Sequence, residues 1–201
     1  MFPEGSMAGF SWDEDPKRFA FTAARYKLVA KLVEGMDKVL EVGCNDGFFS
    51  RIVRQHVGHL VGMDNDPKAI EIAKSINSDK WPIYFQQWSI LDSTVLSQPG
   101  YDCVYCLDVF EHIADETTLL KNLSFFAPMC IIGTPSLESQ AFASDVSKKH
   151  HVNCKTKSQL KAAMKKHWKH VLMFGMNDET LHTGFDPMTQ YLIGIGLEPK
   201  K

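Results

Sequence analysis

No stretch of the chain approaches the roughly 18 apolar residues of a membrane-spanning helix, and Met1 to Asp15 lacks the basic-then-apolar plan of a secretory signal. The expectation is a cytoplasmic protein without a transmembrane segment. Charge of one sign is also missing: 22 Lys and Arg stand against 24 Asp and Glu, a formal net charge of -2. Such a balance gives no overall electrostatic reason to bind nucleic acid or an anionic membrane. Cysteine is scarce. Five residues, an odd number without scaffold-like spacing, argue against a disulfide framework. Cys103 and Cys106 lie in the strand-like run 101–107, where positions three apart point to opposite faces, so they read as small core residues rather than a redox pair. No Tyr-x-x-x-Lys pair occurs anywhere, which removes the usual catalytic pair of short-chain dehydrogenases. Internal repeats and low-complexity segments are likewise absent.

What the chain does have is a core: 201 residues, 44% of them hydrophobic, suffice for one domain and are too few for two comfortable ones. Short apolar runs alternate with helical patterns. Strands are expected at Lys38 to Val42, His59 to Asp64, Ile83 to Trp88, Tyr101 to Leu107 and Met129 to Thr134. A helix from Pro16, capped by Asp15, to about Glu34 precedes them, and further helices are expected over Lys68 to Ile76 and Asp115 to Phe126. Beyond Pro135 the rhythm changes. Ser136 to Lys149 reads as a loop, a helix capped at Thr156 or Ser158 runs to about Lys169, and strands follow at Val171 to Gly175 and Gln190 to Leu197, separated by a long insertion, Met176 to Pro187. The pattern predicts a doubly wound, Rossmann-like α/β fold. Its seven-stranded sheet is mostly parallel, with an antiparallel C-terminal edge strand. Residues 16–135 form the core and 136–201 the acceptor-side loop, helix and closing strands.

In such a sheet the ligand sits outside the carboxyl ends of the strands. The first strand runs into Glu41-x-Gly43-x-Asn45-x-Gly47, a turn that leaves backbone N–H groups free and leads into a helix. Asp64 ends the second strand 21 positions after Gly43, near the spacing of about 20 at which an acidic residue bridges ribose hydroxyls. The third strand closes on Ser89 to Asp92 and the fourth on Leu107-Asp108 with Glu111-His112. A nucleoside-bearing cofactor follows. The turn departs from G-x-G-x-x-G, and carboxylates at Glu41 and Asp46 would repel a pyrophosphate and suit a cationic ligand.

These four segments, in this order at strand ends, resemble the class I S-adenosylmethionine-dependent methyltransferases, and among them the ubiquinone-type, small-molecule and sugar O-methyltransferase branch. The first motif is Val39-Leu40-Glu41-Val42-Gly43-Cys44-Asn45-Asp46-Gly47, the second Asp64, the third Ser89-Ile90-Leu91-Asp92, and the fourth Tyr101 to Val104 through Leu107-Asp108-Val109-Phe110-Glu111-His112-Ile113. The resemblance covers residues 16–135, with a fainter likeness in His151-Val152-Asn153. It implies S-adenosyl-L-methionine as cofactor and S-adenosyl-L-homocysteine as product. Gly43 and Gly47 would let the backbone approach the methionine part, Glu41 would lie near its ammonium, and Asp64 would take the ribose hydroxyls. Ser89 and Ile90 would bracket the adenine and Leu107 would lie beside the methionine chain, with Cys44, Asn45 and Asn65 completing the cofactor-facing set. Asn45 stands where the family usually has glycine, and asparagine is among the few other residues that tolerate positive φ.

For a hydroxyl acceptor a proton must be removed, and histidine is the natural base. His151 and His112, with Asp108, are the catalytic candidates; His112 alternatively bonds within the fold. The Asp108, Glu111, His112 trio is also open to a divalent ion, as in the ubiquinone-type enzymes it resembles. His150 would face elsewhere in an extended segment. Eight lysines between Lys148 and Lys169 read as the solvated face of an amphipathic helix, or as an attraction for an anionic acceptor. The reaction expected is methyl transfer to a hydroxyl of a small molecule or glycan precursor, not a nucleic acid. The alternatives are N-methylation of a small molecule and a non-catalytic cofactor-binding subunit. DNA amino-methylation is disfavoured by the missing Asn/Asp-Pro-Pro-aromatic signature. Oligomeric state and the role of the 176–187 insertion stay open.

Overall fold

The computed structural model describes residues 2–92 and 100–200, so the expected loop through Pro99 lies outside the described residues. Two helices open the chain: α1 (Met7–Glu14) and α2 (Pro16–Leu32). Asp15 between them accepts from the Arg18 amide and Pro16 occupies the first turn, where a missing N–H costs nothing. Then follow β1 (Lys38–Val42), α3 (Ser50–Arg54), β2 (His59–Asp64), α4 (Pro67–Ser75), β3 (Tyr84–Gln87), β4 (Cys103–Leu107), α5 (Glu116–Phe126) and β5 (Met129–Pro135). The C-terminal part adds α6 (Asp145–His150), α7 (Lys157–Met164), β6 (Trp168–Asn177), β7 (Thr180–His182) and β8 (Tyr191–Pro199).

The strands form one eight-stranded sheet in the order β3-β2-β1-β4-β5-β8-β6-β7. β1 to β5 pair in parallel, whereas β8 runs antiparallel to both β5 and β6. The doubly wound α/β fold is therefore present, with two differences from the sequence reading. The last strand is interior rather than an edge, and the edge is β7, an eighth strand inside the segment read as an insertion.

Side-chain alternation builds two cores. Val39, Cys103, Tyr105 and Ile131 point to one face, under α2, α3 and α4. Leu40, Val104, Cys106 and Ile132 point to the other, under α5 and α7. Cys103 and Cys106 thus fall on opposite faces as free, buried thiols. Truncating a fully buried leucine such as Leu120 in such a core costs about 2–5 kcal/mol. Trp168, read from the sequence as part of a helix, instead begins β6. α7 ends at Met164, and the indole lies against Gly196 of β8, where a Cβ would come within 2.6 Å of the ring. Residues 136–149, read as loop, hold a short 3-10 turn (Glu138–Phe142) and most of α6, while α1 occupies what read as an irregular lead-in.

Candidate active site

Strand order reverses between β1 and β4, and at their carboxyl ends opens a cavity of about 490 Å³. Its walls come from the turn after β1, the ends of β2 and β4, the segment after β3, and α1 and α2. Gly43, Cys44, Asn45, Asp64, Asn65, Ser89, Ile90 and Leu107 all line it, eight of the ten residues expected to meet the cofactor.

The turn is fixed by three local bonds. Gly43 has φ 76, and its missing side chain admits Val109, whose Cγ2 would overlap a Cβ there. Asn45 adopts φ 49, its amide donates to Asp64 Oδ2 at 2.9 Å, and its Oδ1 accepts from the Asp46 amide at 2.7 Å. Asp64 Oδ1 accepts from the Asp66 amide at 2.9 Å. Each oxygen of Asp64 thus has one backbone donor and a remaining lone pair, which holds the carboxylate still and leaves it able to accept two hydroxyl groups.

Glu41 and Gly47 do not line the cavity. Glu41 is buried and accepts from Tyr26 Oη at 2.6 Å, so the ring that faces the cavity is Tyr26. Burial pushes the Glu41 carboxyl above its ordinary pKa, against the pull of the nearby Ser50 and Tyr26 hydroxyls. Only the Tyr26 contact meets hydrogen-bond geometry, which leaves Oε2 without a partner among the described residues. Gly47, at φ 67, makes room for Phe85. Asp46 does line the cavity, but its carboxylate is taken up by the protein, with Ser6, Ala8 and Phe48 donating to it. The two carboxylates that made the turn look suited to a cation are therefore engaged by the protein itself.

Asp108 lines the cavity at φ 55 and accepts both its bonds from Arg25 Nη1, at 3.1 and 2.9 Å. The Arg25 guanidinium stacks on the Tyr191 ring, 3.8 Å from its centroid. Sequence reasoning missed Arg25. Arg18, Thr22 and Arg25 recur at helical spacing beside the buried stripe of α2, and all three line the cavity.

The histidines gather around the turn that follows β4. His112 Nδ1 lies 3.1 Å from the His150 carbonyl, which only accepts, so Nδ1 carries a proton and Nε2 is the nitrogen left for another partner, 3.9 Å from Glu111 Oε1. The His151 ring packs edge-on against His112 with centroids 5.0 Å apart, and its Nδ1 pairs with Gln140 Oε1 at 2.9 Å. Burial, then the neighbouring His112, lowers the His151 pKa, keeping it neutral at physiological pH. Glu111 is 1% exposed and accepts from Thr134 Oγ1 at 2.9 Å; burial, then Asp108, pushes its pKa up to about 8. Asn153 docks this arrangement, its amide on the Glu111 carbonyl and its side chain on that of Ile113. His112 lines the cavity; His151 stands behind it, and His150, at the end of a helix rather than in an extended segment, lines the cavity too.

Ligand atoms of Glu111, His112 and His151 lie within 4.8 Å of one another. A carboxylate and two imidazoles presenting bare nitrogens fit a divalent cation. Asp108, part of the trio read from the sequence, is committed to Arg25 instead, and His151 takes its place.

A doubly wound sheet, a glycine turn locked to an acidic residue at the end of β2 and a cavity at the switch point are the features in which the chain resembles the class I S-adenosylmethionine-dependent methyltransferases. Residues 40–126 match the model of a family described as a methyltransferase domain, and the chain is similar to S-adenosylmethionine-dependent methyltransferases. It is 29% identical over 90 residues to the ubiquinone biosynthesis O-methyltransferase of Haemophilus ducreyi, a match spanning 42% of this chain and 38% of that protein. The chain thus spans about two-fifths of that curated relative. In fold it is similar to the methyltransferase domain of bacterial CtHen1-C (TM-score 0.69, 18% identity, 90% of this chain and 100% of that one). It is also similar to the N-methyltransferase NodS from Bradyrhizobium japonicum WM9 in complex with S-adenosyl-l-homocysteine (TM-score 0.66, 15% identity, 98% and 94%).

Proposed function

We propose that the chain transfers the methyl group of S-adenosylmethionine to a hydroxyl of a small molecule or glycan precursor. The observation that carries this reading is the imidazole of His112 in the wall of the cofactor cavity, its Nδ1 held by the His150 carbonyl so that Nε2 is the ring nitrogen left to meet an acceptor. The likeness to an O-methyltransferase points the same way.

The reaction is an in-line displacement. The methyl carbon leaves sulfur, whose electron pair stays on S-adenosylhomocysteine; the acceptor oxygen forms the new bond, and its proton passes to His112 or, through it, to His151. Asp64 takes the ribose hydroxyls, with Asn65 beside it; Ser89 and Ile90 bracket the adenine, and Gly43, Cys44 and Leu107 flank the amino-acid chain. The Arg25–Asp108 pair complements the zwitterionic end of the methionine, Asp108 toward the ammonium and the unused Arg25 N–H groups toward the carboxylate. Glu41 acts at one remove, by positioning Tyr26. In place of proton transfer to His112, a divalent ion held by Glu111, His112 and His151 would lower the pKa of the acceptor hydroxyl, with the proton passing to solvent.

The test is formation of S-adenosylhomocysteine from S-adenosylmethionine across a panel of hydroxyl and amine acceptors, with the methylated atom identified by mass spectrometry and NMR. O-methylated product that falls at least a hundredfold in His112→Ala, with homocysteine-cofactor affinity unchanged, supports the reading. N-methylated product would favour the amine alternative, in keeping with the name of the structural neighbour NodS. Binding without turnover on any acceptor would favour a cofactor-binding subunit.

A further inference from the structure

The eight lysines that the sequence offered as an anion attractor do not line the cavity. Three of them are neutralised: Lys155 by Glu116, Lys157 by Asp186 and Lys169 by Glu198. The positive charge that does reach the cavity comes from α2. Arg25 is occupied by Asp108, but Arg18, two turns earlier on the same wall, has no acidic side chain within ion-pair distance among the described residues. Asp15, the nearest acid along the chain, uses Oδ1 to cap the helix through the Arg18 amide. Ser11 of α1 lines the same cavity with a hydroxyl that makes no hydrogen bond among the described residues, and His150 lines it from α6. Thr22 is not part of this set, because its hydroxyl already donates to the Arg18 carbonyl at 3.1 Å.

A guanidinium without a partner, a free hydroxyl and an imidazole facing one cavity form a set of donors for an oxyanion. We infer that Arg18, with Ser11 and His150, binds an acidic group of the methyl acceptor, a phosphate monoester or a carboxylate, and so selects a hydrophilic anionic substrate for the cavity. The inference rests on the methyl-transfer reading above but locates the specificity in one named side chain. Arg18 is exposed on the helix, so its replacement leaves the core intact.

Two measurements test it. The protein loaded with S-adenosylhomocysteine is titrated with inorganic phosphate, followed by calorimetry and phosphorus NMR line width. Saturable binding is expected, weakened at least tenfold in Arg18→Ala, partly restored in Arg18→Lys and unchanged in Lys161→Ala on the distant α7. No saturable binding to the unaltered protein, or equal binding by Arg18→Ala, overturns the inference. In the second, turnover is compared between paired acceptors that differ only in the acidic group, such as glycerol and glycerol 3-phosphate, or catechol and 3,4-dihydroxybenzoate. A preference for the phosphate or the carboxylate member, expressed in KM and erased by Arg18→Ala with kcat retained, supports the site and tells which oxyanion it takes. Equal turnover of neutral and anionic members overturns it. Phosphate binding that depends on Arg18 without methylation of any acceptor would leave the anion site standing and remove the hydroxyl-transfer reading.

Discussion

The carboxylate of Asp46, 4% exposed, accepts from Ser6 Oγ at 2.8 Å and from the Ala8 amide at 3.0 Å, which ties the start of α1 to the glycine turn after β1. Its other oxygen accepts from the Phe48 amide at 3.1 Å. One buried side chain therefore holds both the turn and the helix that lays Met7, Ala8 and Ser11 along the cavity. Removing it in Asp46→Ala strands three donors, two of them in buried residues, at a cost of about 2–4 kcal/mol. Thermal unfolding should shift down by roughly 5–12 °C for a chain of this size. Hydrogen exchange over residues 7–14 should rise, and affinity for S-adenosylhomocysteine should fall. A variant with unchanged exchange in α1 would show that the aromatic packing of Phe2 and Trp12 on Phe19 holds the helix by itself.

Asn45 is the position where the turn departs from the glycine usual in the methyltransferases it resembles. At φ 49 a side chain costs about 1 kcal/mol, yet the bond from the Asp46 amide to Asn45 Oδ1, 2.7 Å long, returns about 0.5–1.5 kcal/mol. The two terms nearly cancel. Asn45→Gly is expected to change stability by less than about 1 kcal/mol and leave cofactor affinity within about threefold. Asn45→Val, with a branched side chain at positive φ and no acceptor, should lose about 2 kcal/mol or more. Denaturant midpoints of the two variants decide; equal losses would mean that the turn does not depend on its backbone conformation.

The parts of this molecule that were legible in its sequence are those set by local pattern. β1, β2 and β4 are short apolar runs ending at residues whose chemistry belongs at strand ends, and Asp64 needs only its spacing from Gly43 to be found. The parts that were not legible depend on contacts distant in sequence. Nothing near Arg25 announces a partner 83 positions away, and an arginine on an amphipathic helix ordinarily faces water. Glu41 and Asp46 read as ligand-facing carboxylates because Tyr26 and Ser6 become their partners only once α1 and α2 are in place. β7 was hidden for a different reason, since three residues carry too little periodicity to be seen.

Asp64 is held by the Asn45 and Asp66 amides, so its replacement separates affinity from fold. Asp64→Asn places an amide where one of those donors now points and lowers the number of acceptors for the ribose. The dissociation constant for S-adenosylhomocysteine, measured by calorimetry, should rise about 30- to 100-fold, a loss of about 2–3 kcal/mol. The midpoint of unfolding without ligand should fall by no more than the loss of one backbone-donor bond, about 1–2 kcal/mol. Undiminished binding by Asp64→Asn would remove Asp64 from the ribose site and with it the placement of the cofactor.

Glu111 is where stability and function oppose each other. Its folded pKa, about 8, lies above the ordinary 4.5, because burial and then Asp108 disfavour the charge. The folded chain therefore holds a proton that the unfolded chain has released. The associated stability is complete below about pH 4.5, declines above it, and is gone once pH passes about 8. Glu111→Gln keeps an acceptor for Thr134 without the charge, and at pH 8–9 it should be more stable than the parent by on the order of 1–3 kcal/mol. A bound cation reverses the ranking, since it neutralises the parent carboxylate and has little hold on an amide. Millimolar manganese should raise the melting temperature of the parent and not of Glu111→Gln, chelator should return the parent to its metal-free value, and His151→Ala should behave as Glu111→Gln does toward the metal. Equal melting of parent and Glu111→Gln with and without manganese would mean that the cluster serves proton transfer alone, without a metal.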